Sequence, residues 1–221
     1  MIKNIECIQD NCKKALLKSP YNQVPQIIVV TKQQLFEDIS KLYQKGFTHF
    51  AENRVEALLD RQKEFPQTDI TWHLIGTLQT RKVKHIINKI DYFHALDRFS
   101  LIDEIEKRAE KTIRCFLQVN VFQEESKHGF SIHELEHVVS YIKHTEHIEI
   151  VGLMAMAPFQ MEYGHIRQGF AQLKKQQELI HQLHIKQCPC LYTSMGMSQD
   201  YTIALEEGAT HLRIGSAFFR K

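Results

Sequence analysis

The sequence predicts an α/β protein: a closed (β/α)8 TIM barrel in a single domain, residues 1–221, with an extra helix before the first strand. Three observations carry this expectation. Eight short apolar or β-branched runs alternate with longer amphipathic stretches, and strict alternation implies a parallel sheet joined by helical crossovers. The 221 residues reach the lower end of the usual size for such barrels, about 200 residues upward. Nine Gly and five Pro are too few for an architecture of many tight hairpins. An open doubly wound sheet is the competing arrangement, but the G-x-G-x-x-G turn of its dinucleotide-binding form is absent.

In chain order, an amphipathic stretch at 2–18 precedes the first strand. Strands are expected at 26–31 (QIIVVT), 47–50 (FTHF), 71–75 (TWHLI), 92–95 (YFHA), 115–121 (CFLQVNV), 149–154 (EIVGLM), 190–193 (CLYT) and 211–215 (HLRIG). Short β-branched and aromatic runs suit the pleats of a parallel sheet that is buried on both faces. Crossover helices are expected at 33–45, 55–64, 79–88, 100–111, 132–143, 163–183 and 199–207. In the fifth of these, Ile132, Leu135, Val138, Val139 and Ile142 gather on one face at about 100° per residue. Trp72, the only tryptophan, falls in the third strand, where wall packing is its expected role.

Composition narrows the function classes. The chain is 43% hydrophobic and 24% charged, with 28 Lys plus Arg against 26 Asp plus Glu. The formal net charge of +2 argues against a polybasic nucleic-acid tail and an acidic disordered tail. No apolar run approaches the roughly 18 residues of a membrane span, and the start, MIKNIECIQDNCKK, carries no apolar leader core. Five cysteines, at 7, 12, 115, 188 and 190, are an odd number, so reduced thiols in a cytoplasmic protein are expected. Cys188 and Cys190 form C-x-C without a second pair, which does not complete a zinc site.

In a barrel of this kind, chemistry sits where strands end and βα loops begin. Lys32 directly follows IIVVT, so its stem leaves a buried strand at the barrel mouth. A desolvated lysine there is a nucleophilic amine suited to a Schiff base; position alone also allows a solvated lysine opening a helix. The loops after strands seven and eight are Ser194-Met195-Gly196-Met197-Ser198 and Arg213-Ile214-Gly215-Ser216. Such loops often cradle phosphate with backbone N–H groups, glycine allowing close approach and serine adding hydroxyl donors. Two ordinary turns, with Ser198 as a helix cap, are the plainer alternative. Glu52 and Asn53 after strand two, His73 in strand three, Asp97 after strand four and the polar run 124–127 after strand five complete the expected mouth.

Two motifs are set aside. His133-Glu134-Leu135-Glu136-His137 spells H-E-x-x-H, but the two imidazoles fall opposite the apolar face of their helix and are expected in solvent. A zinc site also needs a third ligand and a shielded cleft. The basic run 81–85 lacks interleaved aromatics and reads as a solvated helix face. No metal and no nucleic acid are therefore expected.

Several segments resemble one family: VVTK at Lys32, FAENRVEALLDR, WHLIGTLQTRKVK, HALD, LQVNVFQEESKHGF, VGLMAMAP, SMGMSQDY and GATHLRIGSAFF. They are similar, in register from about residue 25 to 219, to the pyridoxal phosphate homeostasis proteins, relatives of the N-terminal barrel of alanine racemase. The resemblance implies that Lys32 holds pyridoxal 5′-phosphate (PLP) as a Schiff base. It implies Asn53 and His73 near the cofactor, Ser194 and Met195 in one phosphate loop, and Gly215 and Ser216 in the other. Arg213 matches the arginine that faces the pyridine nitrogen; a permanently charged donor there keeps that nitrogen unprotonated and weakens the ring as an electron sink.

The sequence departs from the family pattern at Ala51, Arg54, Arg81, Gln123 and Arg220, of which Arg54 and Arg81 stand to alter the mouth. The resemblance implies a cytoplasmic, monomeric, non-enzymatic carrier that limits free aldehyde and supplies apo PLP-dependent enzymes. The alternative is an amino-acid racemase. Racemases of this ancestry take a tyrosine from an added β-domain as the opposite-face base, and the chain is expected to lack one. His73 is then the only candidate for that second acid–base group.

Overall fold

A computed structural model describes residues 1–122 and 128–220. Among the described residues, eight parallel strands close in sequence order into one barrel. They are β1 Gln26–Val30, β2 His49–Glu52, β3 Thr71–Leu74, β4 Tyr92–Leu96, β5 Ile113–Gln118, β6 Ile148–Met154, β7 Tyr192–Ser194 and β8 His211–Ile214. Closure is made by β8 against β1, with Gln26 opposite His211 and Val29 opposite Ile214.

The helices are α1 Ile2–Leu16, α2 Phe36–Gln44, α3 Val55–Glu64, α4 Val83–Ile86, α5 Phe99–Arg108, α6 Leu135–Ile142, α7 Tyr163–His181, α8 Tyr201–Glu206 and α9 Ser216–Phe219. Helix α1 buries Ile5, Ile8, Cys12 and Ala15, an i, i+3, i+7, i+10 stripe. Its Asn4 donates to the carbonyls of Phe218 and Arg220, and Asn11 donates to the Tyr201 hydroxyl. The extra N-terminal helix thus fastens the last two helices.

Strand alternation separates two apolar regions. Val29, Phe50, Trp72 and Phe93 point outward into the large core between sheet and helices. Ile28, Val30 and Ala51 form a small separate cluster inside the barrel, with Ile75 against it. The outward core is aliphatic and aromatic throughout, which is where burial stabilises most, about 25 cal/mol per Å² of apolar surface. The interior is different, because its remaining inward positions are mostly polar or aromatic. The 221-residue chain therefore keeps its hydrophobic stabilisation outside the barrel and leaves the inside available for chemistry.

Several expected boundaries move. Gln33 has φ 60° and Cys190 φ 46°, both in the left-handed region that a helix or strand interior excludes. Helix α2 therefore starts only at Phe36, and β7 only at Tyr192. Strand β2 lies two residues later than expected, so Glu52 ends it rather than following it. The helix expected at 79–88 is instead a 3₁₀ turn at Thr80–Lys82, α4, and a second 3₁₀ turn at Ile87–Lys89. A run rich in Val and Ile is a poor helix former. The helix expected at 132–143 begins as a 3₁₀ turn, Ile132–Glu134, closed by a capping box between Ser131 and Glu134. Gln123 and the polar run 124–127 lie outside the described residues.

Candidate functional site

The C-terminal ends of the strands define the mouth. Ile28 and Val30 point inward on β1, and the same alternation carries on to Lys32 while Thr31 turns outward. The Thr31 hydroxyl donates to Glu52 Oε1 at 2.7 Å, which locks the ends of β1 and β2 together. Glu52 is 1% exposed and lies 3.8 Å from Arg61 on α3. Burial raises its carboxyl above the usual range, against the lowering effects of Thr31 and Arg61. Lys32 itself is exposed and makes no ion pair among the described residues. Because Val30 pairs with Ala51, Asn53 stands at the same level as Lys32 on the neighbouring strand, also exposed.

Gly76 fixes the adjoining loop. A Cβ on it would fall 2.1 Å from the Asn53 carbonyl oxygen, so only glycine lets the loop after β3 lie against Asn53. Gly196 does similar service after β7: its φ is 94°, and a Cβ would meet Ala204 at 2.6 Å. That close approach brings α8 under the loop, and the Gly196 carbonyl accepts from the Arg213 backbone N–H.

The loops after β7 and β8 meet at Ser198. Its hydroxyl oxygen accepts the backbone N–H groups of Gly215 at 3.2 Å and Ala217 at 3.1 Å. Two backbone donors thus converge on one oxygen, the arrangement that takes an anionic oxygen. Ser216 is exposed beside them. A cavity of about 640 Å³ opens alongside, lined by Pro158, Gln160, Glu162, Ser198, Asp200 and Arg220 among others. Met195 differs from expectation. Its side chain is fully buried in the outer core, and its N–H donates to the His211 carbonyl, so neither is offered to the mouth.

Arg213 points into the barrel from β8 and is 3% exposed. It donates to Ser194 Oγ at 2.6 Å and to the Ala155 carbonyl at 2.9 Å. Burial pulls it down to about 10, opposed by the charge of Asp200, so it stays cationic at neutral pH. No carboxylate among the described residues comes within ion-pair distance. A buried cation without a counter-ion is costly to keep.

Ser194 continues the network inward. His94 Nδ1 lies 2.8 Å from Ser194 Oγ, His73 Nδ1 2.9 Å from His94 Nε2, and His49 Nδ1 3.0 Å from His73 Nε2. His73 and His94 are fully buried, and desolvation drives both well below the ordinary histidine value. Neighbouring charges add to this: His49 and His211 for the first, His73, Arg213 and His211 for the second. His73 therefore sits inside the barrel with both ring nitrogens engaged rather than at the mouth. His49 and His94 were not singled out from the sequence. Their signal was parity: His49, His73, His94 and His211 occupy inward positions of β2, β3, β4 and β8.

His133 and His137 are exposed, and no group of metal-ligating side chains is found among the described residues. All five cysteines are free. Among the described residues no helix is long and apolar enough to cross a membrane. Arg54 and Arg81, departures from the family pattern, are both exposed.

Comparison with known proteins agrees in kind. The family described as "Alanine racemase, N-terminal domain" matches residues 4–220. The pyridoxal phosphate homeostasis protein of Aquifex aeolicus (strain VF5) is 34% identical over 218 residues, covering 97% of this chain and 93% of that one. PipY of Synechococcus elongatus, solved with PLP bound, superposes with a TM-score of 0.81 at 28% identity, covering 95% of this chain and 99% of that one. Its PLP-free form gives a TM-score of 0.84 at 29% identity, covering 93% and 98%. Alanine racemase from Corynebacterium glutamicum shares the fold, with a TM-score of 0.73 at 11% identity over 97% of this chain and 60% of that one. The protein is accordingly a member of the alanine racemase N-terminal domain family and, within it, of the pyridoxal phosphate homeostasis proteins.

Proposed function

We propose that this protein reversibly holds pyridoxal 5′-phosphate at the barrel mouth, with Lys32 as the capturing amine, and serves as a carrier rather than a racemase. When bound, the cofactor supplies an aldehyde that a lysine amine captures as a Schiff base. The observation that carries the reading is Lys32 itself, an amine free of any ion pair among the described residues at the end of an inward-facing row. The donor set around it suits a phosphorylated pyridine. Gly215 and Ala217 carry converging N–H groups, which would suit a phosphate oxygen. Arg213 would supply a charged donor for the ring nitrogen, and Asn53 and Ser216 stand exposed at the rim.

The carrier reading is favoured over racemisation by His73. Proton exchange on both faces of a bound amino acid needs a second positioned acid–base group. His73 was the candidate, and both of its nitrogens are occupied by His49 and His94 inside the barrel. Delivery to apo PLP-dependent enzymes, a monomeric state and a cytoplasmic setting belong to the same proposal.

Incubation with PLP is expected to give a yellow protein with an imine absorbance band, lost in Lys32→Ala. A colourless wild type, or an unchanged band in Lys32→Ala, overturns the cofactor assignment. The loaded protein is expected to produce no D-alanine from L-alanine at enzyme-like rates, of the order of 1 per second or faster; such turnover reverses the choice of carrier.

A further inference from the structure

We propose that His94, His73 and His49 form a proton file through the barrel, joining Ser194 near the mouth to a water-accessible cavity at the opposite pole. The cavity holds about 600 Å³ and is lined by His49, Tyr92, Tyr192, His211, Thr210 and Lys174 among others. The three links from Ser194 to His49 span 2.8, 2.9 and 3.0 Å, all within hydrogen-bond range. Stacked rings hold the imidazole planes: Tyr92 lies 4.7 Å from His73 at 8°, and Phe116 lies 4.3 Å from His94 at 26°.

Arg213 gives the file a direction. It is a donor only, so Ser194 Oγ accepts from it and must send its own hydrogen elsewhere. The acceptor within reach is His94 Nδ1. A neutral imidazole that accepts at Nδ1 carries its proton on Nε2, so His94 donates to His73, and His73 in turn donates to His49. His49 is left with Nε2–H for water in the polar cavity. Every lone pair along the file then faces the Arg213 charge, which favours this polarity electrostatically. Burial keeps His73 and His94 neutral. His49, also lowered by burial, is opposed only by the charge of Asp91.

A ligand at the mouth that delivers a proton to Ser194 Oγ reverses the file. Ser194 passes its proton to His94 Nδ1, His94 passes Nε2–H to His73, His73 passes Nε2–H to His49, and His49 releases Nε2–H to cavity water. Ser194 recovers one proton from the mouth. One proton enters, one leaves, and each imidazole ends neutral with its proton moved to Nδ1. A covered mouth therefore keeps a proton outlet on the far side of the barrel. That use rests on the function proposed above, whereas the file is testable in the ligand-free chain.

The test is tautomer assignment by ¹⁵N NMR of the ring nitrogens, at neutral pH and without ligand. Wild type is expected to show Nε2–H and bare Nδ1 at His94, His73 and His49. In His94→Phe, which cuts the file next to Ser194, His49 is expected to become a tautomer mixture although it does not touch residue 94. A wild-type His94 protonated on Nδ1, an imidazolium at any of the three, or a His49 unmoved by His94→Phe overturns the file. If His94→Phe does not fold, the wild-type assignment still decides. These spectra require no cofactor, so failure of PLP binding and failure of the file are read separately.

Discussion

Single side chains settle what the mouth can hold. The Glu52–Arg61 contact is nearly dry, with side-chain exposures of 1% and 11%. Removing one partner from such a pair leaves a buried charge, typically at a cost of about 3 kcal/mol or more. Arg61→Met is therefore expected to lower the thermal midpoint sharply, and Glu52→Gln in the same chain to restore much of it; equal melts for wild type and Arg61→Met contradict the pairing. Lys32 and Asn53 were legible in the sequence because each lies within three residues of a strand end, where a barrel keeps its chemistry. His94 and His49 were not. A single histidine in an apolar strand reads as core, and only barrel closure reveals that four inward imidazoles meet. Met195 sits in the loop that its neighbours Ser194 and Gly196 mark, but its own side chain packs outward.

At the scale of elements, the loops act as braces between strand ends. Gly76 lies against the Asn53 carbonyl, and the contact a Cβ would make there, 2.1 Å, is with rigid backbone. Gly76→Ala is expected to destabilise by about 1–3 kcal/mol and to weaken PLP retention by displacing Asn53; a variant with wild-type melting and wild-type retention contradicts this brace. The order of strands and helices was readable from hydrophobic alternation alone. Their ends were less so, and the reasons are local. Positive φ at Gln33 and Cys190 cannot be seen in residues that usually avoid it. Strand β2 was placed early because Phe47 looked like strand core, whereas its ring packs edge-on to Phe218 at 5.2 Å. The buried Glu52 looked like loop because its partner Arg61 lies on the next helix.

Across the whole molecule, the polar interior makes folding depend on neutral histidines. Burial, with His49 and Arg213 nearby, pulls His211 down to about 3, and His73 and His94 are lowered in the same sense. The unfolded chain, with values near 6.5, then binds protons that the folded chain refuses. Stability is full above about pH 6.5 and falls as pH drops, by up to about 1.4 kcal/mol per unit for each such histidine. Glu52 and Asp200, raised by burial from 4.5 and 3.8, work in the opposite direction above those values and offset part of the loss. A steep loss of thermal stability between pH 6.5 and 4.5 is expected, and a flat profile over that interval contradicts neutral burial. The same polar interior opens at one end onto Lys32, and that amine is the centre of the proposed function. Borohydride reduction of the PLP-treated protein, followed by peptide mass mapping, tests it most directly. One reduced pyridoxyl phosphate adduct on the peptide containing Lys32 is expected. An adduct on another lysine, or none, would contradict the assignment of Lys32 as the capturing amine.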